Sequence, residues 1–555
     1  MRKLALASLL LCASWMPSVH ASVFDESRPI VSIENGKLQG VKEHGMVAFK
    51  NIPYAAPPVG NLRWKPPHPP ISWPGVRDAS KFGQACIQPA IKGMNEELIP
   101  GSEDCLKLNV YTPSTNSKNL PVMVWIHGGG LFVGSATEPY YQPIALVKEG
   151  MVVVTLDYRL GKLGFFASKE LVEEARRNNE SVGNYGTMDQ IAALKWVKQN
   201  IQHFGGNPDN VTIFGESAGG RSVTWLMSSP AATGLFHKAI AESAQQSPIR
   251  GLQDKRHWLD PAEVIEAKYM TLVGANNLAE LRALPADKLV LTPQDFLEGV
   301  FGGPVIDGQV LVDDPLSVFS KGQQHKVPFI IGVNSWDQGF LAPQAPPLEV
   351  FTKLMNQDIG EVKALYKNYQ NQCVLSAEVM GDAWYRGSTK LLADLAARHA
   401  PSYAYYFNYL TPAIRNTHQG TPHTFEIPYV FGSMQFVLPP PPRVPDPVDQ
   451  CAYIEKARSE ARSGTWSSYW WPTADANDPE DQAISQQMSK SWATFAKTGN
   501  PNAAGLPDWP TYSLKHDVMR EFGYQGRTVI QGLQRNRVDY QIESIRKLYQ
   551  MDRSH

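Results

Sequence analysis

The sequence predicts an α/β fold in which a mostly parallel central sheet is flanked by helices. Three observations predict it. Short apolar runs rich in β-branched residues recur along the chain, glycines follow several of them, and helical periodicity fills the intervals. In sheets of this kind functional groups gather at the carboxyl ends of the strands.

Val122 to Ile126 is the first run, and it leads into His127-Gly128-Gly129-Gly130. Met151 to Leu156 (MVVVTL) follows; its branched side chains pack well on a pleated surface. Asp189 to Asn200 carries Ile191, Leu194 and Val197 at helical spacing. Val211 to Phe214 reads as a strand, and after Gly215 to Gly220 a helix-compatible stretch runs to Met227. Val327 to Val333 and Tyr403 to Tyr409 are the later strands. Leu438 to Pro447 is too rich in proline for regular structure and is expected to be a surface loop or lid margin.

The first residues, MRKLALASLLLCASWMPSVHA, pair a positive start with an apolar core and end on Val19-His20-Ala21. This is the pattern of a secretory signal peptide, so residues 1–21 are expected to be removed and 22–555 to form one folded unit. The apolar run is shorter than the about 20 residues a bilayer requires, so no stable membrane insertion is expected after cleavage. Net charge is −1, and −3 once Arg2 and Lys3 are lost. Without basic blocks, that balance argues against nucleic acid as a partner. Loss of Cys12 leaves Cys86, Cys105, Cys373 and Cys451, an even number that fits an oxidising compartment, periplasmic or extracellular. Sequential pairing, Cys86 with Cys105 and Cys373 with Cys451, closes the shortest loops. No cysteine spacing resembles a metal site and no HExxH occurs, so neither metal nor cofactor is expected.

The chemical signal is Gly215-Glu216-Ser217-Ala218-Gly219 between a strand and a helix. A GxSxG sequence alone is weak, with about 0.2 matches expected by chance in a chain this long. On a strand-to-helix turn it gains a physical meaning. The turn strains the serine backbone, projects Oγ above the sheet, and points the Ala218 N–H the same way. Acyl transfer passes through an oxyanion that needs preorganised donors, and Gly129, Gly130 and Ala218 are the candidates. Serine also needs a base oriented by an acid. In chain order the acid follows the serine, and Asp337 lies just beyond Val327 to Val333. His418 and His423 both lie beyond Tyr403 to Tyr409, and spacing does not separate them.

With these residues in place, the chain resembles the type-B carboxylesterases, which include cholinesterases and bacterial para-nitrobenzyl-type esterases. The likeness runs from Asn51-Ile52-Pro53-Tyr54-Ala55 through Ser102-Glu103-Asp104-Cys105-Leu106 and Asp157-Tyr158-Arg159-Leu160-Gly161. It continues through Phe204-Gly205-Gly206-Asn207-Pro208 to Phe495-Ala496-Lys497-Thr498-Gly499-Asn500-Pro501. The resemblance implies the α/β-hydrolase fold, a small-molecule ester substrate and a Ser-His-acid triad acting through an acyl-enzyme. It favours His423, because the family's His-Gly-x-Glu segment aligns with His423-Thr424-Phe425-Glu426. It places Asp337 where the family usually has glutamate, and it implies a disulfide between Cys86 and Cys105.

Two competing readings have definite signatures. A non-catalytic, cholinesterase-like binding protein would lack the serine, whereas all three side-chain types occur here in order. An interfacial lipase would carry an apolar lid, which no segment identifies. In cholinesterases an aromatic residue for the quaternary ammonium lies within the first disulfide loop. Ile87 to Asp104 contains no Trp, Tyr or Phe, although Trp466 and Trp470 could approach from elsewhere. Uncharged esters with short to medium acyl chains are therefore expected, with no preference for choline.

Overall fold

A computed structural model describes residues 28–551 apart from 93–94, 342–344, 370, 417, 419, 438–458, 460–471 and 525. The signal-peptide reading, the proline-rich stretch 438–447, Cys451, Trp466 and Trp470 therefore lie outside the described residues.

Among the described residues the central sheet has eleven strands. In chain order they are β1 (Val41–Glu43), β2 (Met46–Pro53), β3 (Lys107–Thr112), β4 (Leu120–Ile126), β5 (Val152–Leu156) and β6 (Gly206–Glu216). They continue as β7 (Lys238–Glu242), β8 (Phe329–Asn334), β9 (Ser402–Asn408), β10 (Val518–Gly523) and β11 (Val529–Gln531). Across the sheet the order is β11-β10-β9-β8-β7-β6-β4-β5-β3-β2-β1. The pairs from β10 across to β5 are parallel, while β1, β2, β3 and β11 pair antiparallel at the two edges.

The strands are apolar on both faces because both are covered. Val122, Val124 and Ile126 of β4 share one core with Leu194 and Val197 of α1 (Tyr185–Asn200) and Val223 and Leu226 of α2 (Ala218–Ser228). Met123 and Trp125, alternating with them, pack on the opposite face with Met488, Trp492 and Phe495 of α3 (Pro479–Thr498). Each strand expected from the sequence is present, within a few residues of the expected limits. Helix α1 begins at Tyr185, four residues earlier than its periodicity suggested, because its first turn is buried on all sides and shows no polar face.

The topology brings the chemistry together. Gly128 to Gly130 follow β4, Ser217 follows β6, Ser243 follows β7, Asp337 follows β8 and His423 lies beyond β9. All are on the carboxyl side of the sheet.

Candidate active site

Ser217 is the link between β6 and α2, with φ 57° and ψ −121°, a conformation costly for any residue with a Cβ. Its N–H donates to the Glu242 carbonyl at 2.9 Å, which ties the strained turn to β7. The two motif glycines are demanded by space: an added Cβ would lie 2.6 Å from the Ile126 oxygen at Gly215 and 1.9 Å from it at Gly219. Ser217 is partly accessible, whereas Glu216 and Ala218 beside it are buried.

The glycine loop abuts this turn. A Cβ built on Gly128 would stand 3.1 Å from Ser217 Cβ. Gly129 has φ 91°, and its carbonyl accepts from the N–H groups of Phe132 (3.0 Å) and Val133 (2.9 Å). Gly129 and Gly130 both remain accessible. His127 anchors the loop from below: its ring stacks on Tyr158 at 4.4 Å, and Nδ1 donates to the Gly128 carbonyl at 2.9 Å. Burial pushes its pKa down to about 4, so the ring is neutral through the working range.

Cys86 and Cys105 form a disulfide with Cα atoms 4.9 Å apart. The loop it closes is bonded to the glycine loop. Gln88 Oε1 accepts from the Gly134 N–H (2.8 Å), and Gln88 Nε2 donates to the Gly134 carbonyl (3.0 Å). Gln88 is itself held by Asn95 Nδ2 at 2.9 Å. The second expected pair, Cys373 with Cys451, depends on a residue outside the described ones.

His423 Nδ1 lies 2.7 Å from Asp337 Oδ1, and both side chains are almost fully buried. Asp337 Oδ2 accepts from the Asn334 N–H at 2.7 Å. The loops carrying the pair are laced together by Asn334 Nδ2 to the Pro422 carbonyl (2.8 Å), Thr421 N–H to Ser335 Oγ (2.7 Å) and Trp336 N–H to the Thr421 carbonyl (2.9 Å). The other ring nitrogen, Nε2, is 3.2 Å from Oε1 of Glu216, the neighbour of Ser217 in the chain. His418 lies elsewhere, against Phe425, and burial pushes its pKa down to about 4. Thr424, where the family has glycine, adopts φ 75°, a region that a β-branched residue enters only under constraint. Its N–H donates to the Glu216 carboxylate.

Buried acids surrounding His423 escaped the sequence reading. Glu216, Glu242 and Glu426 are all raised above the ordinary carboxylate range, each chiefly by burial and then by neighbouring carboxylates. Glu426 is pushed up to about 8, yet is well bonded, by Asn334 Nδ2 at 2.5 Å and Ser243 Oγ at 3.3 Å. Glu242 accepts from Trp492 Nε1 at 2.7 Å. The only hint of this cluster was the glutamate inside each of the two motifs.

A strained serine on the strand-to-helix turn of a large parallel sheet is an arrangement that comparison with known proteins places. The model of the Carboxylesterase family matches residues 27–439 and 458–541. The chain belongs to the carboxylesterase family. This carboxylesterase is 34% identical to the para-nitrobenzyl esterase of Bacillus subtilis, over 89% of its own length and 94% of the relative's. It is 35% identical to the pyrethroid hydrolase Ces2e of Rattus norvegicus, over 89% of its own length and 86% of the relative's. The crystal structure of a Geobacillus stearothermophilus carboxylesterase superposes with a TM-score of 0.73 at 31% identity, covering 92% of this chain and all of the other. The fold is therefore the α/β-hydrolase fold, and the activity is hydrolysis of carboxylic esters.

Proposed function

We propose that this carboxylesterase works through a Ser217–His423–Asp337 triad and an acyl-enzyme. Ser217 Oγ attacks the ester carbonyl while His423 Nε2 takes its proton. Asp337 accepts from Nδ1–H, fixing the tautomer and stabilising the imidazolium. The N–H groups of Gly129, Gly130 and Ala218 receive the oxyanion. The imidazolium then protonates the departing alcohol, and water, activated by the same nitrogen, releases the acid. The 2.7 Å pairing of His423 Nδ1 with Asp337 Oδ1 carries this reading, because it leaves Nε2 directed toward the serine turn.

Asp337→Asn tests the acid. An amide at this position can donate to Nδ1 and select the wrong tautomer, so kcat is expected to fall by about ten-thousand-fold. A loss below tenfold would assign the acid elsewhere.

The proposed substrates are uncharged esters with short to medium acyl chains. The relatives named for para-nitrobenzyl esters and pyrethroids support this, as does the disulfide loop, which offers no aromatic face to a quaternary ammonium. Butyrylcholine and its uncharged 3,3-dimethylbutyl counterpart differ only in the charge. Their kcat/KM values are expected to agree within a few-fold, alongside efficient turnover of para-nitrophenyl butyrate. A tenfold advantage for the cation would reverse the substrate reading.

Export is part of the same proposal. It is supported by the Cys86–Cys105 bridge, which persists in an oxidising compartment. Among the described residues no helix is long and apolar enough to cross a membrane.

A further inference from the structure

Helix α2, which begins immediately after Ser217, carries a cation in its first turn. The Arg221 N–H donates to the Ser217 carbonyl at 2.9 Å, so Arg221 follows the serine by one turn of backbone. The guanidinium packs over Trp225 at 5.0 Å, and Nη2 reaches Ser247 Oγ at 3.3 Å in the loop after β7.

Arg221 has no counter-ion among the described residues. Among the described residues no carboxylate forms an ion pair with it, and its Nε is buried without a hydrogen-bond acceptor. The acid that most influences it, Asp314, is already committed to Arg256 at 2.9 Å and to the Ile249 N–H at 2.7 Å. Burial lowers the Arg221 pKa only to about 10, so it keeps its charge at neutral pH. Arg221 is largely buried but retains some accessible surface. Tyr385, whose hydroxyl lies within the field of Arg221, stands edge-on to the His423 ring at 5.7 Å. Arg221 is thus linked to the serine turn by its backbone hydrogen bond and to the histidine through Tyr385. An enclosed cation without a counter-charge is unfavourable in the empty protein and becomes favourable when an anion arrives.

We propose that Arg221, with Ser247 beside it, forms an anion subsite that selects esters bearing a free carboxylate a few bonds from the scissile carbonyl. This rests on the triad reading above and narrows its substrate: uncharged esters remain substrates, and their carboxylated counterparts are preferred. A guanidinium suits the task, since its planar fork matches a carboxylate and stays charged when enclosed.

The test compares kcat/KM at pH 7.5 for two matched pairs. Monoethyl glutarate against its carbamoyl isostere places the charge on the acyl side. Butyryloxyacetate against butyryloxyacetamide places it on the alcohol side. At least a tenfold preference for the carboxylate is expected in one pair, and that pair identifies the side. In Arg221→Met the ratio is expected to collapse to about one, and in Arg221→Lys to be partly restored. Ratios near or below one for both pairs in the wild-type protein would overturn the subsite without reference to any variant. A preference that survives Arg221→Met would overturn the assignment to Arg221. Hydrolysis of the neutral esters without preference leaves the triad standing, whereas no hydrolysis of any ester, para-nitrophenyl butyrate included, would sink both.

Discussion

Replacing Ser217 with alanine is expected to lower kcat about a million-fold and to leave the fold intact. The size of the loss follows from the sharing of labour in the site. Without Oγ there is no acyl-enzyme, and His423 has no proton to take. What remains is orientation of the ester and the oxyanion donors, which in a comparable serine hydrolase retain about a thousand- to ten-thousand-fold over water. The fold survives because the φ of 57° is imposed by the turn, and alanine meets the same strain there as serine. Assay of para-nitrophenyl butyrate and a thermal melt of the same preparation check both halves. Retained activity with an unchanged melt would place the nucleophile elsewhere.

His423→Ala is expected to cost about as much as the serine change, because the two act as one unit. His418→Ala is expected to keep most activity. The distinction comes from geometry: His423 Nδ1 is 2.7 Å from Asp337 Oδ1, while His418 packs against Phe425. Stability should separate them less clearly, since both rings are enclosed. Measured kcat values for the two variants decide between them, and the reverse order would move the base to residue 418.

The parts of this fold that were legible in the sequence are those where one physical requirement dominates. Strands β4, β5 and β8 are buried on both faces, so their runs are continuously apolar and stand out. The glycines around Ser217 stand out because no side chain fits against the Ile126 carbonyl. Strands β3, β7 and β10 were missed for the opposite reason. Lys107 opens β3, Glu242 closes β7 and Arg520 sits within β10; their partners are Asp104, three residues away, Trp492, and Gln487 with the Thr528 carbonyl. The pairings with Trp492 and Gln487 are tertiary facts and leave no local pattern.

The candidate site divides along the same line. Ser217 and the glycine loop are local motifs, readable where they stand. The partnership of Asp337 with His423 depends on two loops 86 residues apart in the chain being bonded together, and only family likeness favoured His423 over His418 beforehand. Glu216 and Glu426 were visible as residues, but their raised pKa values come from burial beside one another, which composition does not encode. Arg221 reads in the sequence as an ordinary helical arginine. Its interest comes from the absence of any carboxylate beside it among the described residues.

The account stands or falls on Ser217 forming a covalent bond. Trypsin releases the stretch Gln199–Arg221, in which Ser217 is the only serine. After treatment with a fluorophosphonate, peptide mass spectrometry is expected to find one adduct, on this peptide at Ser217, in step with the loss of activity. An adduct on a different serine that tracks inactivation, or full activity in a protein labelled at Ser217, would contradict it.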